Sequence, residues 1–447
     1  MGGRSAAMAL IGIVAIVVTG VAVTRSPALG TPAPSAAASG PGLVDAIPEA
    51  DPLPWTSVSW RRLVLAAGPA MVPGHTRIDG LVRGAPGLVG WGRTATPGRN
   101  QFDDMGAAYL SATGDAWTVV PIDDGVGPRD TSEIHLVVAG PAGLLAVGGV
   151  CCDEERPATW TSHDGTAWIR APVDPKLAAV DVVDVLATDS GFIAAGNAAG
   201  QATILRSSDG IDWDAVDPAG LGPGGLSDLT VTRDGYLAVG WSDDGVTHDG
   251  ATWRSADGRT WARVDEPLLA GDQDTDLWRA VPFAPGEYLT GNEGPHAERI
   301  RCEQLLGQRA TTAGPTVDPG EVVDLSCGWG LETQWLRSAG GPLRRLPVRW
   351  LGGVAPPPGS FVGSPLIMAG GPGLVGIGEA EGEVGLRPWT SRDGQSWEQA
   401  LPDQPFGVGA SITGFVVDVR RLVAVGEEWD PDGNRPGVPA VWLGIAE

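Results

Sequence analysis

The chain has 447 residues with 67 glycines and 38 prolines, and its 54 acidic residues against 30 Lys and Arg give a formal net charge of −24. Nucleic-acid binding needs clustered positive charge, so this balance argues against a nucleic acid as partner. The abundance of glycine and proline argues against a helical protein and favours many tight turns.

The first predicted element is an uncharged apolar run over residues 6–23, which follows Arg4. Its 18 residues are long for the core of a signal peptide and just enough to span a bilayer. We therefore predict that residues 1–25 are either a cleaved signal or a single transmembrane anchor. Either alternative exports the rest of the chain, which is then secreted or held outside the cell membrane. Residues 26–54, rich in Pro, Ala, Ser and Gly, are predicted to be a flexible linker.

A short apolar segment that ends in glycine then recurs seven times. Its copies are LVGWG at 88–92, LLAVG at 144–148, FIAAG at 192–196, YLAVG at 236–240, EYLTG at 287–291, LVGIG at 374–378 and LVAVG at 422–426. Successive final glycines lie 56, 48, 44, 51, 87 and 48 residues apart, and the single long interval indicates an insertion at about 292–334. The repeat predicts an all-β fold, a seven-bladed β-propeller of four-stranded blades over residues 55–447.

A second motif marks the turn between the third and fourth strands of a blade. It reads SHDGTAW at 162–168, SSDGIDW at 207–213, SADGRTW at 255–261 and SRDGQSW at 391–397. Asp-Gly between alternating strands is a strong hairpin signal, and the Ser and Asp side chains can bond the backbone of the turn. The motif resembles the Asp-box, or BNR, repeat of sialidase-like propellers, shortened by one residue. That resemblance implies structural turns remote from any catalytic site, and a non-catalytic member of the superfamily.

The two chain ends predict how the ring closes. The seventh unit stops after a third strand at 440–447, whereas an orphan fourth-strand pattern, SVSWRRLVL at 57–65, precedes the first unit. Pairing of these segments completes the last blade with the N-terminal strand and leaves no open sheet edge in the ring.

The predicted ligand-binding face is the one with long, irregular loops, because function usually resides on variable loops held by a rigid scaffold. Acidic residues recur near the starts of the first strands, which line the axis, and five of them are predicted to surround the mouth of the channel there: Asp79, Glu133, Asp181, Asp228 and Asp276. Two interpretations are open, a site for cations or cationic ligands and ordinary solvated strand ends.

The cysteines and one acidic loop are further candidates. Cys302 and Cys327 lie in the predicted insertion of an exported chain and are predicted to form a disulfide. The adjacent Cys151 and Cys152 form either a vicinal disulfide or a pair without function. No cofactor is predicted except calcium, for which the loop DPDGN offers oxygen ligands, although a plain turn is the alternative; these ligands are Asp430, Asp432 and Asn434.

The sequence leads to a functional expectation and an alternative. The expectation is an exported, monomeric module without catalytic residues that binds an extracellular protein or glycan. The alternative is a glycoside hydrolase, either sialidase-like or with paired axial carboxylates. A sialidase needs a tyrosine nucleophile, and Tyr109, Tyr236 and Tyr288 all lie in predicted strands, which disfavours that chemistry.

Overall fold

The computed structural model describes residues 58–65, 76–95, 104–122, 131–151, 156–243, 248–302, 304, 330–347, 366–370, 373–379, 385–400, 406–407, 409–417, 420–429 and 437–446. The predicted N-terminal segment 1–25 and the predicted linker 26–54 lie outside these ranges. Within them, no helix has both the length and the apolar composition needed to cross a bilayer.

Seven four-stranded antiparallel sheets form the molecule, which confirms the predicted propeller. Strand β1 is Val58–Val64. Blade 1 contains β2 (Arg77–Gly84), β3 (Gly87–Ala95), β4 (Asp104–Ser111) and β5 (Thr118–Pro121). Blade 2 contains β6 (Thr131–Gly140), β7 (Gly143–Cys151), β8 (Arg156–Ser162) and β9 (Ile169–Ala171). Blade 3 contains β10 (Asp181–Thr188), β11 (Gly191–Ala198), β12 (Gln201–Ser207) and β13 (Asp214–Ala215).

The remaining blades follow the same order. Blade 4 contains β14 (Gly225–Thr232), β15 (Gly235–Asp243), β16 (His248–Ser255) and β17 (Ala262–Val264). Blade 5 contains β18 (Asp274–Phe283), β19 (Gly286–Gly294), β20 (Leu331–Ser338) and β21 (Leu343–Arg345). Blade 6 contains β22 (Leu366–Gly370), β23 (Gly373–Glu379), β24 (Leu386–Ser391) and β25 (Glu398–Gln399), and blade 7 contains β26 (Ala410–Val417), β27 (Arg421–Glu428) and β28 (Val438–Ala446). Short helices occur at Pro175–Ala178 (α1), Pro218–Gly220 and 296–302.

The first strand of every blade is the inner one, and consecutive inner strands contact each other around a closed ring. Between the blades lie apolar side chains from both neighbouring sheets, including Trp91, Trp160, Trp253 and Trp442, all almost completely buried. Burial of these aromatic side chains is the main force that holds blade to blade.

Strand β1 is the fourth strand of blade 7, as the ends of the sequence predicted. It pairs antiparallel with β28 from Val58 opposite Ala446 to Val64 opposite Ala440. Trp60 packs edge-on against Phe406, with ring centroids 5.6 Å apart. The N-terminal strand therefore closes the ring on its outer side.

The recurrent glycine of each second strand has a physical cause. In six blades the inner strand carries a β-bulge, and the glycine pairs with the residue immediately before the bulge. A Cβ on Gly148 would overlap the carbonyl oxygen of Glu133, and the same overlap recurs at the corresponding glycines of blades 1, 3, 4, 5 and 7. The second strands do not end at this glycine: β7 continues to Cys151.

The S-x-D-G-x-x-W turns have the predicted hydrogen bonds. In the blade 4 turn, Ser255 Oγ accepts from Gly258 N at 2.8 Å, and Asp257 Oδ1 accepts from the backbone N of Arg259 and Thr260, both at 2.8 Å. Gly258 has φ +67°, in the left-handed region that favours glycine. Trp261 Nε1 closes the turn by donating to Gly258 O at 3.3 Å.

Candidate functional site

Two faces of the ring follow from the antiparallel strand order. We call loop face the end that carries the connections between second and third strands and between blades. Turn face denotes the opposite end, with the short turns between first and second and between third and fourth strands. The insertion lies on the loop face, and its bounds are 295–330 rather than the predicted 292–334, because β19 extends to Gly294 and β20 begins at Leu331.

The five predicted channel-mouth acids do not form one ring. Three of them occupy equivalent positions near the loop face, one residue before the residue that pairs with the recurrent glycine: Glu133, Asp181 and Asp276. Asp79 is itself the bulged residue of β2, and Asp228 follows the bulge of β14. A bulge adds one residue to a strand and changes the direction of the following side chains. Spacing from the strand start therefore did not predict how far each acid lies from the mouth of the channel.

Asp79 is engaged by a neighbouring arginine. Its carboxylate forms an ion pair with Arg77 Nε and also accepts from Arg77 Nη2 at 3.3 Å. Burial raises the pKa of Asp79, and the positive charge of Arg77 opposes that increase. Glu133 and Asp181, by contrast, are exposed on the same face.

Asp276 belongs to a rim between blades 4 and 5. His248 Nε2, from the start of β16, contacts Asp276 Oδ1, and the imidazole stacks on Trp241 with ring centroids 4.6 Å apart. The side chain of His248 is 6% exposed, whereas that of Asp276 is 21% exposed. The acid is thus held in place by a buried histidine of the neighbouring blade.

The insertion is attached to the same rim by Asp274. His296 Nδ1 lies 2.9 Å from Asp274 Oδ2, and Arg299 Nε donates to that oxygen. Both partners belong to the helical segment 296–302, the first part of the insertion. Asp274 and Arg299 are buried, so this charge-assisted contact is little weakened by solvent.

Three charged groups whose pKa values are shifted by burial lie on three adjacent inner strands: Asp184, Asp228 and Arg279. Asp184 Oδ1 accepts from Val185 N at 2.7 Å and Oδ2 from Leu229 N at 3.1 Å. Asp228 Oδ2 accepts from Ala280 N at 2.8 Å. Each carboxylate therefore bonds the backbone of the next inner strand, Asp184 across to β14 and Asp228 across to β18.

Electrostatics within this cluster favour protonation. Burial raises the pKa of Asp184 to about 8, and the negative charge of Asp228 contributes to the increase. Burial also raises the pKa of Asp228 to about 6, opposed by the guanidinium of Arg279. Burial lowers the pKa of Arg279 while both aspartates oppose that shift. The two carboxyl groups titrate as a coupled pair.

Several of the predicted site residues lie outside the described ranges. Cys151 ends β7, but Cys152 lies outside, and so do the predicted calcium ligands Asp430, Asp432 and Asn434. Cys302 is buried at the end of the helical segment, and its predicted partner Cys327 is not among the described residues. In the part of the chain that the structure describes, no group of three or more His, Cys, Asp or Glu side chains is placed to hold a metal ion.

A cavity of about 390 Å³ lies on the opposite, turn face of blade 4, beside Tyr236, Arg254 and Asp257. Its guanidinium is already committed, because Arg254 Nη2 donates to both oxygens of Glu287 at 2.5 and 2.6 Å. Arg254 is therefore not available to an anionic ligand in this cavity.

The sequence did not single out Asp184, Asp274, Arg279, His248 or His296. A signal for two of them exists: Asp184, Asp228 and Arg279 each stand twelve residues before the recurrent glycine of their blade. Counting from that glycine, and not from the strand start, would have aligned them. The histidine contacts join residues of different blades or of a helix, which no local pattern predicts.

Comparison with known proteins finds likeness at the level of structure only. No family model matches the chain, and no curated protein does. Solved structures similar to it include an α-L-arabinofuranosidase mutant from Fusarium graminearum, at 12% identity over 86% of this chain and 98% of that one, with TM-score 0.36. The periplasmic gluconolactonase of Pseudomonas aeruginosa is 11% identical over 72% of this chain and 83% of its own, with TM-score 0.41.

A subtype N11 neuraminidase-like protein of influenza from a flat-faced bat of Peru is also similar. It is 8% identical, with 90% of this chain and 97% of that chain covered and TM-score 0.33. These neighbours have different activities, and at such identities and TM-scores they carry no information about the function of this chain.

Proposed function

We propose that the chain is an exported binding module that presents the loop face of blades 4 and 5, with the insertion attached there, to an extracellular protein or glycan. The observation that carries this proposal is the attachment of the insertion by Asp274. Its contacts with His296 and Arg299 fix the first helical segment of the insertion on the rim of the ring. A loop held in this way by a rigid scaffold is a typical ligand-binding arrangement.

The neighbouring rim supports the same face. Trp241 stacks on His248, and His248 holds Asp276, so an aromatic group and an acid are ordered next to the base of the insertion. Leu331, the first residue after the insertion, is 52% exposed. An ordered rim with aromatic, acidic and exposed apolar side chains suits recognition of a polypeptide or a glycan.

Glycoside hydrolysis by axial carboxylates has one supporting observation, the pair Asp184 and Asp228 with separated pKa values. Against it, Asp184 is only 5% exposed, and each of the two carboxylates accepts a hydrogen bond from the backbone of the next blade. Hydrogen bonds of this kind hold neighbouring blades together. We therefore favour the binding module. Glycosidase activity that the native protein has and Asp228→Asn lacks would instead support the hydrolase.

The experiment compares Asp274→Asn with Asp272→Asn in the full ectodomain. Asp272 is an exposed acid two residues away, so the control removes the same charge without releasing the insertion. Cross-linking capture from native cells and a glycan array are the two readouts. We expect Asp274→Asn to lose the ligand and Asp272→Asn to retain it.

A deletion variant provides an independent test of the same proposal. Glu293 pairs with Leu331 across the base of the insertion, so residues 295–330 can be replaced by a short Asn-Gly turn without separating β19 from β20. Ligand retained by the deletion variant would contradict the proposal. Ligand lost by it, together with an unchanged unfolding midpoint, would support it.

A further inference from the structure

One group of charges on the inner strands has no role in the proposed binding face; in it Asp184 is buried, whereas Asp228 and Arg279 are partly exposed. One position is equivalent in all seven inner strands, because it pairs with the residue before the recurrent glycine. In the six strands with a bulge it is the position directly after the bulge. The residues at this position are Gly80, Leu136, Asp184, Asp228, Arg279, Leu366 and Gly414. At this position, charged residues occur in three adjacent blades, whereas the other four blades carry glycine or leucine.

Hydrogen bonds show that these three positions act across blade boundaries. Asp184 of blade 3 accepts from Leu229 N of blade 4, and Asp228 of blade 4 accepts from Ala280 N of blade 5. Each acceptor oxygen satisfies an amide of the strand beside it. These two bonds connect blades 3, 4 and 5, and the guanidinium of Arg279, one residue before Ala280, interacts electrostatically with both carboxyl groups. We call Asp184, Asp228 and Arg279 the link.

The charges in this link do not balance when both carboxyl groups are ionised. Two negative groups face one positive group, and the electrostatic partners of Arg279 are the two aspartates. Its Nη2 atom is buried and, among the described residues, has no hydrogen-bond partner. An uncompensated negative charge in a buried site is costly, and protonation of one carboxyl group removes it.

Other titratable groups on the strands packed around the link lie towards the strand ends. Towards the loop face these are Glu133, His135, Asp181, Asp243, His248, Asp249, Asp274, Asp276 and Glu293, and towards the turn face Arg206, Tyr236, Arg254, Glu287 and Tyr288. None of them figures among the charges that act on Asp184 or Asp228. The protonation of the link is therefore decided within its own three residues.

We propose that Asp184, Asp228 and Arg279 form a proton-binding site that ties blades 3, 4 and 5 together, with one proton retained by the carboxyl pair at neutral pH. The contacts among these three blades are most stable when that proton is bound. Loss of the proton leaves both carboxyl groups ionised, with Asp184 in a buried position that feels the charge of Asp228, and weakens the contact between these blades.

The sign of the pH effect follows from proton binding in the folded and unfolded chains. Because the folded protein retains a proton that an unfolded aspartate has already released above pH 4, the contribution to stability decreases as pH rises towards about 8. The change continues as pH rises through the folded pKa, and well above it both states are ionised and the contribution no longer changes. Between pH 6 and 8, the free energy of unfolding should fall with pH at the slope expected when the folded state binds about one proton more than the unfolded state.

The test measures urea unfolding of the propeller (residues 55–447) at pH 6, 7 and 8 for the native protein, Asp184→Asn and Asp181→Asn. Asp181 lies three residues earlier on the same strand and is exposed, so it is the matched control. We expect the free energy of unfolding of the native protein and of Asp181→Asn to fall over this interval. In Asp184→Asn the slope of that free energy against pH should be smaller by the equivalent of about one proton. An unchanged slope in Asp184→Asn would overturn the proposal.

A second readout protects the test if Asp184→Asn fails to fold. Hydrogen exchange at the Leu229 and Ala280 amides of the native protein, corrected for intrinsic chemistry, reports the two inter-blade bonds directly. We expect protection of both amides to fall by several-fold between pH 6 and pH 9. Protection that stays constant over this range would contradict the proposal, whatever the behaviour of the variants.

Discussion

At the scale of single residues, the recurrent glycine and the bulge opposite it are one structural device. The glycine leaves room for the carbonyl group that the inner strand pushes towards it, as Gly148 does for Glu133. The bulge in turn directs the next side chain, and in blades 3, 4 and 5 that side chain is charged. A backbone constraint thus determines where the buried charges lie.

We predict that Gly148→Ala destabilises the propeller by about 1–3 kcal/mol, because a methyl group there overlaps backbone that cannot move freely. Gly271→Ala is the control: nothing lies within 4 Å of its added Cβ, and its effect should stay within about 0.5 kcal/mol. Urea unfolding at pH 7 measures both. Equal effects of the two substitutions would contradict the role assigned to Gly148.

The turn aspartates should respond to pH in the opposite direction from the axial pair. Backbone hydrogen bonds, first from Thr260 and then from Arg259, lower the pKa of Asp257. Its contribution is present above the unfolded pKa near 4 and is lost as pH falls through the folded pKa. We predict that Asp257→Asn reduces stability at pH 7 and narrows the difference between pH 7 and pH 3. Asp234→Asn, an exposed acid in the neighbouring turn, should leave that difference unchanged.

At the scale of elements, the closing strand differs from the other outer strands. Strand β1 has seven residues, whereas β13 and β25 have two each. Arg61 pairs with Asp115 of blade 1 and Arg62 with Glu428 of blade 7, but these side chains are largely exposed and contribute little. Closure therefore depends on the β28 ladder and on Trp60.

We predict that a chain beginning at residue 66 loses ring closure, because the edge of β28 and the side of Phe406 are then uncovered. It should elute as oligomers in size-exclusion chromatography, while a chain beginning at residue 55 stays monomeric. A synthetic peptide of residues 56–66 added in trans should restore the monomer. A truncated chain that remains monomeric and equally stable without the peptide would contradict the role of β1.

How much the sequence predicted differs between fold and site. The seven glycine segments and the Asp-Gly turns are local signals, and each predicted a strand or turn that the structure contains. Closure was predictable because the two unpaired patterns complement each other. The link between Asp184 and Leu229 joins residues 45 positions apart, and Asp228 and Ala280 are 52 apart, so only the ring geometry brings them together. The bulge opposite the recurrent glycine then determined the positions of Asp184 and Asp228, and it becomes visible only once the pairing of the two strands is known.

At the scale of the whole molecule, the ring separates two kinds of surface. The turn face is built from short turns whose polar groups bond one another, as Ser255 and Asp257 do. The loop face carries the insertion base, the His248 rim and the exposed acids Glu133 and Asp181. Among the described residues, the loop face combines the base of the insertion with the ordered side chains to which we assign ligand binding, and this assignment is the central claim of the functional account.

The most direct measurement of that claim places a photoreactive amino acid on each face in turn. Ala297, on the helical segment of the insertion, and Ala256, in a turn of blade 4, are both exposed alanines and form a matched pair. On irradiation of native cells, we predict covalent capture of a protein or glycan from position 297 and none from position 256. Capture from position 256 alone would contradict the account and assign recognition to the turn face.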